Sequence, residues 1–139
     1  MKLGLFPISE RRTLKVLVVD DDPKAVELIA LRIQGLASTV IRAYGGREAI
    51  EAARLEHPDL IVLDLMMPEV NGFDVGEALK AQSDTTRIPI VVVTATQITA
   101  EDRARLNGYV SAIMEKVSFD PHGSIAEVRR AMSGRSLAA

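Results

Sequence analysis

The architecture of the chain turns on LIVLDLMMP, Leu60 to Pro68. Four consecutive apolar residues, Leu60, Ile61, Val62 and Leu63, lead into a single carboxylate at Asp64. The chain then turns away through Pro68, Asn71 and Gly72. So short a run, with no polar alternation, predicts a strand covered on both faces, as in a parallel sheet flanked by helices. A carboxylate at the end of such a strand sits at the carboxyl edge of the sheet, where open α/β sheets gather their ligands. Taken alone, Asp64 reads equally well as a capping residue at a strand-to-helix turn. The stretches on either side separate these readings.

Upstream, LKVLVV from Leu14 to Val19 predicts a first strand that ends in three acids, Asp20, Asp21 and Asp22. Pro23 takes a first helical position with Asp22 as N-cap. Val26, Ile29, Ala30 and Ile33 then recur at the spacing of a helix lying on a sheet, and Gly35 ends it. Thr39 to Ala43 is a weaker second strand. After Gly45 and Gly46, a second helix runs from Arg47 to Glu56 with Ile50 and Ala53 inward, closed by His57 and Pro58. Downstream, Phe73 to Gln82 predicts a third helix with Val75, Ala78 and Leu79 inward, followed by a polar loop from Ser83 to Arg87. IPIVVVTA, Ile88 to Ala95, is a strongly apolar strand that carries Thr94 near its end. Thr99 and Asp102 resemble a capping box opening a short helix that reaches Asn107 and Gly108. A fifth strand over Val110 to Met114 delivers Glu115 and Lys116. A last helix starts near Ser124, with Glu127 at the capping-box position and Ile125, Val128 and Met132 inward. This alternation specifies a doubly wound α/β domain with right-handed crossovers.

The 139 residues fit one domain and suffice to bury about two thirds of the unfolded surface. Met1 to Thr13 reads as a leader or linker, 14–133 as the domain, and 134–139 as a frayed tail. Aromatics make up 4% of the chain, so the core is aliphatic. The absence of cysteine excludes disulfides, thiolate metal sites and a Cys nucleophile. A net charge of -2 gives no basic surface for nucleic acid. No apolar run approaches the ~18 residues of a membrane span, and the start of the chain is too short for a signal peptide. The expected location is the cytoplasm. Only seven residues follow Met132, so no DNA-binding output domain is expected in this chain.

The chemistry lies at the strand ends. In a parallel sheet Asp20, Asp21, Asp64, Thr94 and Lys116 all gather at one carboxyl edge. Three carboxylates there repel one another unless a cation is present. An oxygen-rich site with no Cys and no suitable His suits a hard ion such as Mg²⁺, which usually takes one or two carboxylates and keeps several waters. A carboxylate left partly free by the ion can attack phosphorus and form an acyl phosphate. Lys116 and the Thr94 hydroxyl are then placed to hold phosphoryl oxygens. His57 and His122 sit beside prolines in loops and receive no role. Asp22 reads as a helix cap, and Met67 as a turn or packing residue.

VLVVDDDP, LIVLDLMMPEVNG, VVVTA and the late MEK, in this order and spacing, resemble the receiver domain of two-component response regulators. The resemblance covers Lys15 to Met132. It implies a flavodoxin-like fold with five helices and a five-stranded parallel sheet in the order 2-1-3-4-5, an order that flavodoxin and known receivers share. It further implies Asp64 as phosphoacceptor, Asp21 as a direct metal ligand and Asp20 as one acting largely through water. The Met66 backbone carbonyl matches the third protein ligand, for Mg²⁺ or Mn²⁺. Thr94 and Lys116 match the residues that contact the phosphoryl group. The implied partners are a histidine kinase or phosphotransfer protein and a downstream protein, with the chain a monomer or weak dimer. Such a domain is a signalling protein rather than an enzyme, although it promotes its own phosphorylation and dephosphorylation.

Two positions depart from the family pattern. Receivers commonly carry an aromatic switch residue three positions before the lysine, where this chain has Ile113, and a proline after the lysine, where it has Val117. A cis bond before a non-proline residue costs ~2.5–4 kcal/mol, so a trans Lys116-Val117 peptide is expected. Both changes leave the phosphorylation chemistry in place and alter the expected output surface. They support an alternative, a pseudo-receiver whose partner surface does not respond to phosphate. A flavodoxin-like nucleotide or cofactor binder is disfavoured, because acids stand where a glycine-rich phosphate loop would follow the first strand.

Overall fold

A computed structural model describes residues 14–35, 37, 39–95 and 97–115. Five strands form one parallel sheet: β1 Lys15–Val19, β2 Thr39–Ala43, β3 Leu60–Leu63, β4 Ile90–Thr94 and β5 Ala112–Glu115. Their order is β2-β1-β3-β4-β5, as the family resemblance implies. Four helices connect them among the described residues: α1 Pro23–Arg32, α2 Gly46–Glu56, α3 Gly72–Ala81 and α4 Ala100–Leu106. The fifth helix expected from Ser124 lies outside the described residues.

The central strands form because their side chains are apolar on both faces, and each face meets its own helices. Leu17, Val19, Ile61, Leu63, Ile90 and Val92 join Ala49 and Ala53 of α2, Phe73, Val75 and Leu79 of α3, and Leu106 of α4 in one core. The alternate residues Val16, Val18, Leu60, Val62, Val91 and Val93 pack with Val26, Ile29 and Ile33 of α1 on the other side. This two-residue alternation is the pleat of the strand, and every such side chain is buried. At about 1.5–3 kcal/mol for each fully buried aliphatic side chain, the double-sided strands anchor the domain. Register is then fixed, with Leu17 beside Ile61 and Leu63 beside Val92.

The helix starts follow from their caps. The Asp22 side chain accepts from the Lys24 N–H at 3.0 Å, with Pro23 in the first turn of α1. Asn71 and Asp74 form a reciprocal capping box on α3, so that helix begins at Gly72, one residue before the expected start. Thr99 and Asp102 do the same on α4. Two strands are shorter or later than expected, for local reasons. β4 starts at Ile90 rather than Ile88, because the Ile88 N–H is used in a turn to Thr85 O and Pro89 has no N–H to donate. β5 starts at Ala112 rather than Val110, because the N–H groups of Tyr109 and Val110 both turn back onto Leu106 O.

Polar contacts tie the connections down. The half-buried Lys80 ammonium donates to Thr86 O at 2.8 Å and Ile88 O at 2.9 Å, holding the turn into β4 against α3. Arg105 of α4 lies 4.3 Å from the centre of the Phe73 ring and 3.4 Å from Glu77 Oε2, both on α3. His57 closes α2 in the left-handed region at φ 49°, and Glu69 adopts φ 65° in the loop before α3.

Candidate functional site

Because the sheet is parallel, β1, β3 and β4 all end on the same edge. The residues that follow their last apolar positions therefore meet there. The Asp20 N–H extends the ladder to Ala43 O at 3.2 Å, and the Asp64 N–H extends it to Val19 O at 3.0 Å. Both aspartates are thus fixed by backbone pairing before their side chains are considered. Thr94 closes β4 as a fully buried residue, paired in register with Glu115 of β5.

Asp20, Asp21 and Asp64 each offer a carboxylate oxygen, and these oxygens all lie within 4.8 Å of one another. Asp20 is 1% exposed and Asp64 5%, while Asp21 faces solvent. One Asp20 oxygen, Oδ1, accepts from the Asp22 N–H at 3.0 Å, which sets the orientation of its carboxylate. Asp22 itself is exposed and serves as the α1 cap, so the three consecutive acids divide between site and helix start.

Three like charges this close, two of them in a low-dielectric setting, repel unless a cation lies among them. The donor set is all oxygen, contains neither sulfur nor imidazole, and leaves one face open through Asp21. That chemistry fits a hard divalent ion such as Mg²⁺.

The loop from Asp64 to α3 completes the edge. Leu65 and Met67 are buried, and Met66 between them is 59% exposed, so the peptide carrying its carbonyl is held from both sides. The Gly72 N–H donates to Leu65 O at 2.9 Å and closes the loop. Ile113 lies half-buried in β5 beside Val92 and packs against the α2–α4 core. Lys116, Val117 and His122 lie outside the described residues. His57 caps α2 at the start of β3, away from the carboxyl edge, and takes no part in the cluster. The pattern of strand ends did not indicate the Asp20–Asp22 contact or the glycines against the loop, since Gly46 and Gly72 read in sequence only as chain breaks.

The family model of the response regulator receiver domain matches residues 16–118. The chain is 35% identical over 107 residues to the polar-differentiation response regulator DivK of Brucella ovis, covering 76% of this chain and 87% of that protein. It is 41% identical over 81 residues to the probable transcriptional regulator ycf27 of Cyanophora paradoxa, spanning 58% of this chain but only 33% of that longer relative. Among solved structures it is similar to the Vibrio cholerae chemotaxis protein CheY4, at 27% identity and a TM-score of 0.77, covering 85% of this chain and 98% of that one.

Proposed function

The chain belongs to the response regulator receiver domain family of two-component signalling, and on that basis we propose that it takes a phosphoryl group onto Asp64. One observation carries the reading: Asp20, Asp21 and Asp64 converge within 4.8 Å at the edge where Thr94 is buried.

Asp20, Asp21, Asp64 and the Met66 backbone carbonyl are the groups that would hold Mg²⁺ or Mn²⁺. When bound, the ion neutralises charge on the phosphoryl oxygens. An Asp64 carboxylate oxygen forms the new bond to phosphorus. The bond from phosphorus to the imidazole nitrogen of a donor phosphohistidine breaks, and its electron pair leaves with that nitrogen. The Thr94 hydroxyl donates a hydrogen bond to one phosphoryl oxygen, and the Lys116 ammonium pairs with another. Attack by water on phosphorus later returns the free carboxylate. The donor is a histidine kinase or phosphotransfer protein in the cytoplasm, and the output is contact with a downstream protein. The acyl phosphate carries about −1.5 to −2 charge where the free carboxylate carried −1, and its added oxygens draw Thr94 and the loop after β4 toward Asp64.

The test is intact-mass measurement after incubation with Mg²⁺ and acetyl phosphate. Wild-type protein gains one alkali-labile phosphoryl group and Asp64→Asn gains none. A wild type that stays unmodified overturns the proposal.

Ile113 favours a second reading. An aliphatic side chain packed into the core at the usual aromatic position supports a pseudo-receiver, whose partner surface is insensitive to phosphate. Amide spectra with and without a beryllofluoride phosphoryl mimic separate the two. Shifts near Thr94 and Ile113 favour the responsive receiver, and shifts confined to the metal site favour the pseudo-receiver.

A further inference from the structure

The loop that follows Asp64 is seated between the starts of two helices, and at both points the residue is glycine. At Gly72 of α3, a Cβ would lie 2.5 Å from the Asp64 carbonyl oxygen, 2.7 Å from Leu65 Cα and 2.9 Å from Leu65 Cδ2. At Gly46 of α2, a Cβ would collide with the Val70 carbonyl oxygen and lie 2.7 Å from Val70 Cγ1. Neither approach is required by backbone angles, since no described glycine has positive φ. What demands glycine is space. The first contact is with the residue that carries the acceptor carboxylate. The second comes from a different helix and reaches the far end of the same loop, next to Glu69 at φ 65°.

Between these two seats the loop has little freedom. Leu65 and Met67 are buried, the Gly72 N–H holds Leu65 O, and the Asn71–Asp74 box fixes the exit into α3. A displacement of Val70 is therefore transmitted along a short, pinned segment to the Met66 peptide. By contrast, a Cβ at Gly76, one turn further along α3, would make only ordinary contact with Tyr109 Cβ at 3.5 Å.

We infer that Gly46 and Gly72 are positioning residues for the metal site: their missing side chains let α2 and α3 close on the loop and set where the Met66 carbonyl and Asp64 stand relative to Asp20 and Asp21. This inference rests on the proposed Mg²⁺-dependent receiver reading. Groups that orient ligands from behind typically change metal affinity by 10–100-fold when altered.

The experiment is a Mg²⁺ titration of the full chain, followed by backbone amide shifts, on wild type, Gly46→Ala, Val70→Ala and Ala53→Gly. Ala53 is buried in α2 about two turns beyond Gly46, so its variant loses helix stability without adding an atom against Val70. Gly46→Ala raises the Mg²⁺ dissociation constant about tenfold, while Ala53→Gly keeps the wild-type value despite a lower melting temperature. Val70→Ala adds no atoms and only loosens the contact, so it serves if Gly46→Ala does not fold; it too binds Mg²⁺ more weakly. Unchanged affinity in Val70→Ala and in any folded Gly46→Ala, with wild type binding normally, overturns the inference and leaves the site reading standing. A wild type that does not bind Mg²⁺ overturns both.

Discussion

The Asp20 carboxylate accepts a hydrogen bond through Oδ1 from the Asp22 backbone N–H at 3.0 Å. A buried acid at the end of β1 thus orders the turn into α1, and the same turn leaves Asp21 exposed between two structurally engaged neighbours. Asp20 and Asp21 are adjacent in sequence and share one charge cluster, but only Asp20 also accepts a hydrogen bond that orders the turn.

Asp21→Asn removes one of three like charges without breaking a described structural contact, so the metal-free protein becomes more stable. Asp20→Ala relieves the same repulsion but deletes a part-buried hydrogen bond worth about 0.5–1.5 kcal/mol, so its gain is smaller by that amount. Urea denaturation in the presence of a chelator checks the difference.

Adding Mg²⁺ reverses the gain from Asp21→Asn. A ligand bound only by the native state stabilises it by about 2.7 kcal/mol at a hundred times its dissociation constant. Wild-type melting temperature therefore climbs with Mg²⁺ concentration, and Asp21→Asn and Asp64→Asn show a much smaller rise. Calorimetric melts across a Mg²⁺ series measure this, with matched NaCl as the ionic-strength control.

Lys80 gives a prediction in pH. Partial burial lowers the pKa of this α3 residue from the ordinary lysine value. Between the native and unfolded pKa values the unfolded chain binds more protons, so the Lys80 contribution to stability increases as pH rises through that window and is lost as pH falls back to the native pKa. Lys80→Met also leaves Thr86 O and Ile88 O without their ammonium donor, at a cost of about 1–3 kcal/mol. The stability gap between wild type and Lys80→Met, followed by denaturation at a series of alkaline pH values, widens toward the upper end.

Two side chains occupy left-handed backbone, His57 at φ 49° and Glu69 at φ 65°. That conformation costs an L-residue roughly 1–2 kcal/mol and a β-branched residue more. His57→Gly raises stability at the end of α2, and Glu69→Val lowers it by about 1–3 kcal/mol. Thermal melts of the two variants check the pair of signs.

Features with a local cause could be read from the sequence, and features with a tertiary cause could not. β1, β3 and β4 were readable because burial on both faces leaves an unbroken apolar run, and Asp22, Thr99 and Asp102 were readable because caps act within three residues. The convergence of Asp20, Asp21 and Asp64 followed from parallel strands ending on one edge. The starts of β4 and β5 lie later than the apolar pattern suggests, because Ile88 and Val110 look like strand while their N–H groups are spent on turns. The burial of Lys80, the strain at Glu69 and the close seats at Gly46 and Gly72 come from tertiary contacts, which local periodicity does not encode. A lysine or a glycine in a helix carries no mark of what packs against it.

The proposed acyl phosphate on Asp64 is the step the account rests on, and reductive trapping detects it at the residue itself. Protein treated with Mg²⁺ and acetyl phosphate is reduced with borohydride, which converts an aspartyl phosphate to homoserine, and the modified position is read by peptide mass spectrometry. The expected product is homoserine at position 64, dependent on Mg²⁺ and lost in Asp21→Asn. Homoserine at position 20 or 21 instead, or no reduced residue in protein that demonstrably binds Mg²⁺, would rule out Asp64 as the acceptor.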